Sequence, residues 1–187
     1  MQSRATMILW MVSFPKEIWN FFIFNIANNM KKEFISKDFK VPRKLKTCDF
    51  EIRPIKSKDA KKDYKAVMES VDRLKGIFGP KNKWPPKDLT FREEILSLKI
   101  HKRDFEKRKS FTYAVFDKKK KYVGCVYIFP SHKIKFDAIV FMWVRSSKLK
   151  LDKKLYKLVK SWIKEKWPFE KVAYPGRSLS FEEFEKS

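Results

Sequence analysis

One stretch of this chain, residues 137–169, limits its possible folds more than any other. It begins with seven consecutive apolar residues, Ala138–Val144. Such a run is too short to span a membrane and too evenly apolar for a half-exposed strand, so it predicts a central strand covered on both faces. After Arg145, apolar residues recur at helical spacing and lysines fill the opposite side. The stretch therefore predicts a buried strand, a short loop and an amphipathic helix.

The other predicted elements flank this unit. β-branched and aromatic runs predict strands at residues 50–55, 111–116, 122–129 and 171–174. Helical spacing predicts one helix over residues 60–74 and a second from Phe91 to Lys109, opened by a capping box of Thr90 and Glu93. The element order is β-α-α-β-β-β-α-β, with a short amphipathic or frayed tail at residues 178–187. An antiparallel meander followed by a parallel, right-handed crossover predicts the α/β (α+β) class. The sheet is then mixed and mainly antiparallel, with helices on both faces.

The charge of the chain points to an anionic partner. Lys and Arg total 45 against 22 Asp and Glu, a formal net charge of +23. That excess implies affinity for nucleic acid, a membrane surface or a phosphorylated small molecule. Nucleic-acid readers concentrate arginine, whereas 36 of these basic residues are lysines spread over nearly every segment. The pattern therefore favours a solvated lysine surface and keeps nucleic acid as an alternative partner.

Cysteine and histidine usage argues against a metal centre. Cys48 and Cys125 are far apart in sequence, and His101 and His132 are the only histidines. This spacing supports neither a disulfide framework nor a zinc site, so no metal is predicted and a reducing, cytoplasmic location is favoured. Cys125 is predicted to be a small buried hydrophobe, and His101 is predicted to be a surface residue of its helix.

The first 37 residues are predicted to be an extension, followed by one domain over residues 38–187. Two apolar halves within residues 1–29 are separated by Pro15, and neither reaches the ~20 residues that a membrane span needs. No transmembrane segment is therefore predicted. Residues 1–29 are interpreted as a translated upstream stretch or a loosely packed extension that precedes Met30. An interfacial membrane anchor is the alternative.

Several strings in the sequence resemble the GNAT superfamily of N-acyltransferases. They are FEIRPI, DYKAVMES, FTYAVF, YVGCVYIFP, WVR and WPFEKVAYPGR, and the resemblance covers roughly residues 38–177. It implies a GNAT-like sheet that lacks the usual final helix and hairpin of that superfamily. It also implies transfer of an acetyl group from acetyl-CoA to a small-molecule or peptide amine. The alternative is a non-catalytic GNAT-fold protein that binds nucleic acid or another anion through its basic surface.

The same resemblance implies a donor site at the end of the central strand. In the superfamily this strand pairs with the pantetheine arm, and a loop with the pattern Q/R-x-x-G-x-G/A binds the pyrophosphate. Arg145 takes the first position of that pattern, whereas Lys148 and Lys150 stand at the glycine positions. Asp152 is predicted to cap the following helix. The predicted cofactor-binding residues are Trp143, Val144, Arg145, Ser146, Ser147, Lys148 and Lys150.

Three side chains are candidates for proton transfer in such a reaction. The resemblance implies that a base accepts a proton from the amine and an acid protonates the leaving thiolate. Asp137, before the central strand, and Glu69, late in the first helix, are the candidate bases. Tyr174, in the last strand, is the candidate acid.

Overall fold

The computed structural model of the protein describes residues 33–187, and a single sheet forms the centre of this part. Its six strands lie in sequence order: β1 (Leu45–Lys46), β2 (Phe50–Pro54), β3 (Phe111–Asp117), β4 (Tyr122–Pro130), β5 (Ala138–Val144) and β6 (Val172–Ala173). Strands β1 to β5 pair antiparallel, and β5 pairs parallel with β6. The predicted mixed, mainly antiparallel sheet is confirmed, and β1 adds a short strand at its edge.

Helices cover both faces of this sheet. They are α1 (Ala60–Met68), α2 (Val71–Leu74), α3 (Phe91–Glu106), α4 (Asp152–Lys166) and α5 (Phe181–Lys186), with 3-10 turns at Ser57–Asp59 and Ser146–Leu151. Helix α4 buries the apolar stripe of Leu155, Val159 and Ile163 against one face. Val67 of α1, Leu74 of α2 and Phe184 of α5 belong to the core on the other face. The prediction of helices on both faces of the sheet is therefore confirmed.

The central strand has the burial that its composition predicts. Every residue of β5 is buried, and β4 and β6 flank it. The capping box of Thr90 and Glu93 is also confirmed, because the Thr90 Oγ1 accepts from the Glu93 N–H and the Glu93 carboxylate accepts from the Thr90 N–H. Both features depend on residues close together in sequence, which makes them readable from composition and spacing.

The tail follows the amphipathic alternative, because it contains the short helix α5, opened by its own capping box of Ser180 and Glu183, and buries Phe184. Two local predictions are wrong. The helix predicted over residues 60–74 is broken at Glu69 and Ser70, so α1 and α2 are separate helices. His101 is partly buried, and its Nδ1 lies 3.1 Å from the Thr112 hydroxyl. Burial lowers the pKa of His101 to about 4, so the ring is neutral near pH 7.

The N-terminal predictions fall largely beyond the part of the chain that the structure describes. Both hypotheses for residues 1–29 concern residues outside the range 33–187. Just upstream of the predicted domain start, Ile35 is buried and the Phe34 ring stacks on Phe111 and Phe169. No helix within residues 33–187 has the length and apolarity required to cross a membrane.

Candidate active site

Strand β5 pairs with β6 over its first two residues alone. Ala138 pairs with Val172 and Ile139 with Ala173. Beyond this point β5 continues to Val144, while the chain leaves β6 at Tyr174. The β6-facing edge of residues 140–144 therefore borders a cleft, because no other described strand pairs with it. The cleft has a volume of about 190 Å³, and the cationic side chains of Arg73, Lys75 and Arg177 line it.

Two arginines donate hydrogen bonds to backbone carbonyls along this open edge. The Arg73 guanidinium donates to the Val144 carbonyl. The Arg177 Nη2 donates to the Met142 carbonyl at 3.2 Å and to the Asp152 Oδ1 at 2.9 Å. These side chains thus satisfy acceptors that a paired strand would otherwise satisfy.

Asp152 does not cap helix α4 as predicted. It is the first residue of α4, Leu151 holds the N-cap position, and the Asp152 side chain pairs with Arg177 instead. The hydrogen bonds that Arg177 donates to the Asp152 carboxylate raise the pKa of Arg177. The prediction is wrong because it considered only the nearby helix N–H groups and not a bidentate cation supplied from the turn after β6.

The turn that follows β5 binds the carboxylate of Glu69. Glu69 Oε1 accepts from the Ser147 N–H at 2.9 Å, and Glu69 Oε2 accepts from the Arg145 Nε at 2.9 Å. The neighbouring Ser146 N–H donates to the Ser70 Oγ at 2.8 Å. The bond from Arg145 is the main cause that lowers the pKa of Glu69 to about 2, and the bonds from Ser147 add to it. Two backbone N–H groups at the start of the turn are therefore already bonded to side chains at the α1–α2 break.

The predicted cofactor-binding residues divide between the core, the turn and a second surface. Trp143 and Val144 are buried, and the Trp143 Nε1 donates to the Tyr127 hydroxyl at 3.2 Å. Arg145, Ser146 and Ser147 form the turn that Glu69 and Ser70 bind. Lys148 and Lys150 line a second groove together with Ser146 and Ser147. The structure therefore does not bring all seven residues to one pocket.

The predicted proton-transfer residues lie at two ends of β5. Asp137 precedes the strand, and its Oδ2 accepts from the Glu170 and Lys171 N–H groups at 2.9 Å each. Glu69 binds the turn after the strand, so the seven residues of β5 separate the two carboxylates by roughly 20 Å at the usual strand rise. Tyr174 directly follows β6, at the same end as Asp137, and burial raises the pKa of its phenol.

Sequence reasoning missed the parts played here by Ser70, Arg73 and Arg177. A usable signal was the scarcity of arginine, since 9 of the 45 basic residues are arginines. A planar guanidinium is retained where several hydrogen bonds in fixed directions are required. Arg53 follows the same rule, because it pairs with the Asp59 carboxylate through two bonds of 2.7 Å.

A metal centre has no support in the part of the chain between residues 33 and 187. No group of three or more His, Cys, Asp or Glu side chains is placed there to hold an ion. The cationic cleft and the turn after β5 are the features beside the central strand that could bind a ligand.

Comparison with protein-family models and with curated protein sequences gives no match. Comparison with solved structures gives matches. A ribosomal-protein-alanine acetyltransferase from Vibrio fischeri has a TM-score of 0.51 and 18% identity, covering 65% of this chain and 67% of that one. An apo nucleotide-linked sugar GNAT, FdhC, has a TM-score of 0.52 and 14% identity, covering 74% and 76%. The chain has the GNAT fold.

These matches confirm the predicted GNAT-like architecture of the chain. A further match is RimL, a ribosomal-protein alpha-N-acetyltransferase solved in complex with coenzyme A, at a TM-score of 0.50 and 13% identity. It covers 62% of this chain and 64% of RimL. Because the chain spans about two thirds of the length of these structures at low identity, the likeness establishes the GNAT fold and not a shared activity.

Proposed function

We propose that the protein binds an acyl-CoA, acetyl-CoA in the first instance, along β5 and transfers the acyl group to the amine of a small molecule or peptide. The observation that carries the proposal is the divergence of β5 from β6 after two residue pairs, which leaves a strand edge beside a cationic cleft. A pantetheine arm carries amides that can pair with a strand edge, and CoA carries phosphates that attract cations. The similar structure of RimL with coenzyme A supports this choice of donor.

The residues around the cleft fit such a donor through their side chains more than through their backbone. Arg73 and Lys75 offer charge where the cleft meets the turn. The N–H groups of Ser146 and Ser147 are already bonded, and lysines replace the glycines that would allow close backbone approach. We therefore assign the first phosphate contacts to Arg73, Lys75 and Arg145. The hydroxyl groups of Ser146 and Ser147 and the ammonium groups of Lys148 and Lys150 are further predicted contacts.

The positions of the candidate residues favour one acid and one base at the β6 end of the cleft. Acyl-CoA would supply the activated thioester. Tyr174 lies where β6 ends, and its phenol is protonated near pH 7, as a proton donor to a thiolate must be. Burial raises its pKa and so makes it a weaker acid, which means that its position, and not its acidity, makes Tyr174 the candidate. Asp137 lies at the same end, and in residues 33–187 no hydrogen-bond donor reaches its Oδ1. Glu69 is a weaker candidate base because its pKa of about 2 makes it a poor proton acceptor.

The test combines ligand binding with turnover. Acetyl-CoA at 100 times its dissociation constant adds ~2.7 kcal/mol of stability, which corresponds to a rise in melting temperature of roughly 5 to 10 °C. We expect Arg73→Gln to weaken acetyl-CoA binding by about tenfold, the effect of ~1.4 kcal/mol. Arg92→Gln is the matched control, since Arg92 is exposed and lies on α3, away from the cleft. The absence of any melting shift with acetyl-CoA or CoA would overturn the proposal.

Turnover is measured as release of the CoA thiol with a panel of primary amines and N-terminal peptides. Tyr174→Phe is expected to lower kcat while KM for acetyl-CoA stays unchanged, because the ring remains and only the proton donor is lost. If Tyr174→Phe keeps the full kcat, Tyr174 is not the acid of the reaction. Asp137→Asn is expected to lower kcat/KM because the amide cannot accept the proton of the amine, and an unchanged kcat/KM would remove Asp137 as the base.

A second candidate function is anion binding by a GNAT-fold protein that performs no acyl transfer. The observation that favours it is the Glu69 carboxylate on the turn, since this internal anion accepts from the Ser147 N–H that a phosphate would otherwise use. Under this reading acetyl-CoA produces no melting shift. A polyanion such as a DNA duplex binds instead, with an affinity that falls steeply as salt is added.

A further inference from the structure

A second, basic groove borders the 3-10 turn at Ser146–Leu151. One wall is the β3–β4 turn, with Lys118, Lys119 and Lys121. The other wall is the 3-10 turn, with Ser146, Ser147, Lys148 and Lys150. Its volume is about 510 Å³, within the ~300–1,000 Å³ typical of small-molecule pockets. The groove and the cleft have no lining residue in common.

The acidic residues of the groove are already engaged. Asp117 Oδ1 accepts from the N–H groups of Lys119 and Lys121 at 2.9 Å each, and its Oδ2 lies 3.9 Å from the Lys148 ammonium. Asp49 pairs with Lys154, outside the groove, at 3.1 Å. Within residues 33–187, no carboxylate lies within 4.0 Å of the ammonium groups of four groove lysines: Lys118, Lys119, Lys121 and Lys150. The groove therefore carries a local excess of positive charge.

That excess is an electrostatic cost that a bound anion removes. Several ammonium groups around one concave surface repel each other, and the repulsion is stronger beside a low-dielectric wall than in open water. The backbone of the turn cannot supply the compensating interaction, because its first two N–H groups are directed to Ser70 and Glu69. The lysine ammonium groups and the hydroxyl groups of Ser146 and Ser147 remain. Of these, lysine supplies the charge, and it binds phosphate as a flexible point charge.

The groove also has an apolar part. Leu149 is 49% exposed and Leu151 is partly buried, and both line the groove between the lysine walls. An exposed leucine inside a cationic concavity suits a ligand with a flat apolar ring beside its phosphates. Inorganic phosphate lacks such a ring, and an extended nucleic acid needs a longer surface than one groove of this size.

We propose that this groove binds a nucleotide, with the di- or triphosphate between the two lysine walls and the base against Leu149. The nucleotide can be a free one or the nucleotide part of an acyl donor that crosses the turn from the cleft. Only the second source rests on the proposed function. The chemistry of recognition is the same for both.

The experiment uses the full chain, with ATP and CoA as separate probes in calorimetric titrations at low salt. The groove variant is the triple change Lys118→Gln, Lys121→Gln and Lys150→Gln. The matched control is Lys157→Gln, Lys164→Gln and Lys166→Gln on the exposed side of α4, which removes the same net charge. We expect the groove variant to weaken ATP binding by about tenfold or more and the control by less than about threefold.

The variant Arg73→Gln distinguishes a free nucleotide from the nucleotide part of an acyl donor. For a free nucleotide, Arg73→Gln leaves ATP binding unchanged while the groove triple weakens it. For the nucleotide part of a donor, both variants weaken CoA binding. Failure of acetyl-CoA binding with groove-dependent ATP binding intact would remove the proposed function and keep this inference.

Three results would overturn the inference. One is equal weakening by the groove and control triples, which would show diffuse charge attraction. Another is the absence of groove-dependent binding for both ATP and CoA. The third is a single-stranded oligonucleotide that binds the groove far more tightly than ATP, which would assign the surface to nucleic acid.

Discussion

Two carboxylates at the two ends of one helix have opposite chemistry in this protein. Asp63, in the first turn of α1, is 3% exposed, and its pKa is raised above the ordinary value, chiefly because burial removes solvent from the charged form. Glu69, directly after α1, lies at the surface, and the guanidinium of Arg145 holds its pKa at about 2. The amino-acid class and the helix are the same. The surroundings therefore decide which carboxyl group carries a proton and which is a permanent anion.

The buried carboxyl group belongs to a polar cluster inside the α1-side core. Asp63 accepts from the Tyr122 hydroxyl at 2.6 Å, and its neighbour Glu94, which raises the electrostatic cost of a second charge, is 2% exposed. Two carboxylates in contact without solvent cannot both ionise, so this pair retains a proton. The Cys125 Sγ lies 2.9 Å from the Tyr122 hydroxyl, and burial raises the pKa of the thiol. Cys125 is buried as predicted, and it is a protonated member of this cluster.

The largest expected effect is a pH dependence of the unfolding free energy that comes from Asp63 and Glu94. Because the pKa values of Asp63 and Glu94 are raised in the fold, the folded state binds more protons than the unfolded chain above about pH 4.5. The free energy of unfolding should then decrease as pH rises, by at most ~1.4 kcal/mol per pH unit for one proton. Glu94→Gln supplies an amide donor to Asp63 without a titrating proton and should flatten this slope. Urea denaturation from acid to neutral pH measures it.

The control for that series is Glu106→Gln, an exposed change near the end of the same helix. It should leave the pH dependence as in the native sequence. A slope that survives Glu94→Gln would show that the buried pair does not share a proton.

The next effect tests whether the buried cluster depends on its phenol. Tyr122→Phe removes the donor to Asp63 and leaves a buried carboxyl oxygen without that bond, which costs about 1–3 kcal/mol of unfolding free energy. Tyr156→Phe is the control, because no hydrogen bond to the Tyr156 hydroxyl occurs in the range 33–187 and its ring contact with Tyr174 persists. Equal stability of the two variants in urea would contradict the assigned role of Tyr122.

Much of the fold could be predicted because its signals are local. An unbroken apolar run such as Ala138–Val144 requires cover on both faces, and all seven residues of this strand are indeed buried. The break at Glu69 and Ser70 could not be predicted in this way. It depends on hydrogen bonds to residues 76 and 78 positions later in the chain, and local helical spacing continues across it.

The candidate site was less predictable for the same reason. Its motif positions, Arg145 to Lys150, could be found by resemblance, but their partners could not. Glu69 stays a predicted base, but its three donors on Arg145 and Ser147 could not be found in this way. Nor could the bond from Arg73, on another helix, to the Val144 carbonyl. Long-range pairs of this kind carry no spacing signal in a single sequence.

The smallest expected effect concerns the anion on the turn. Because the pKa of Glu69 is lowered to about 2, its contribution to stability is complete above about pH 4.5 and is lost as pH falls through about 2. The Glu69 side chain is 28% exposed, so solvent screening limits the contribution, and Glu69→Gln should cost about 0.5–1 kcal/mol near pH 7. The difference between native and Glu69→Gln proteins should vanish near pH 2, whereas the exposed change Glu182→Gln should have no resolvable effect at either pH. A loss that persists in acid would mean that Glu69 acts through packing, and the contrast with Asp63 would then reflect burial alone and not an ionised carboxylate on the turn.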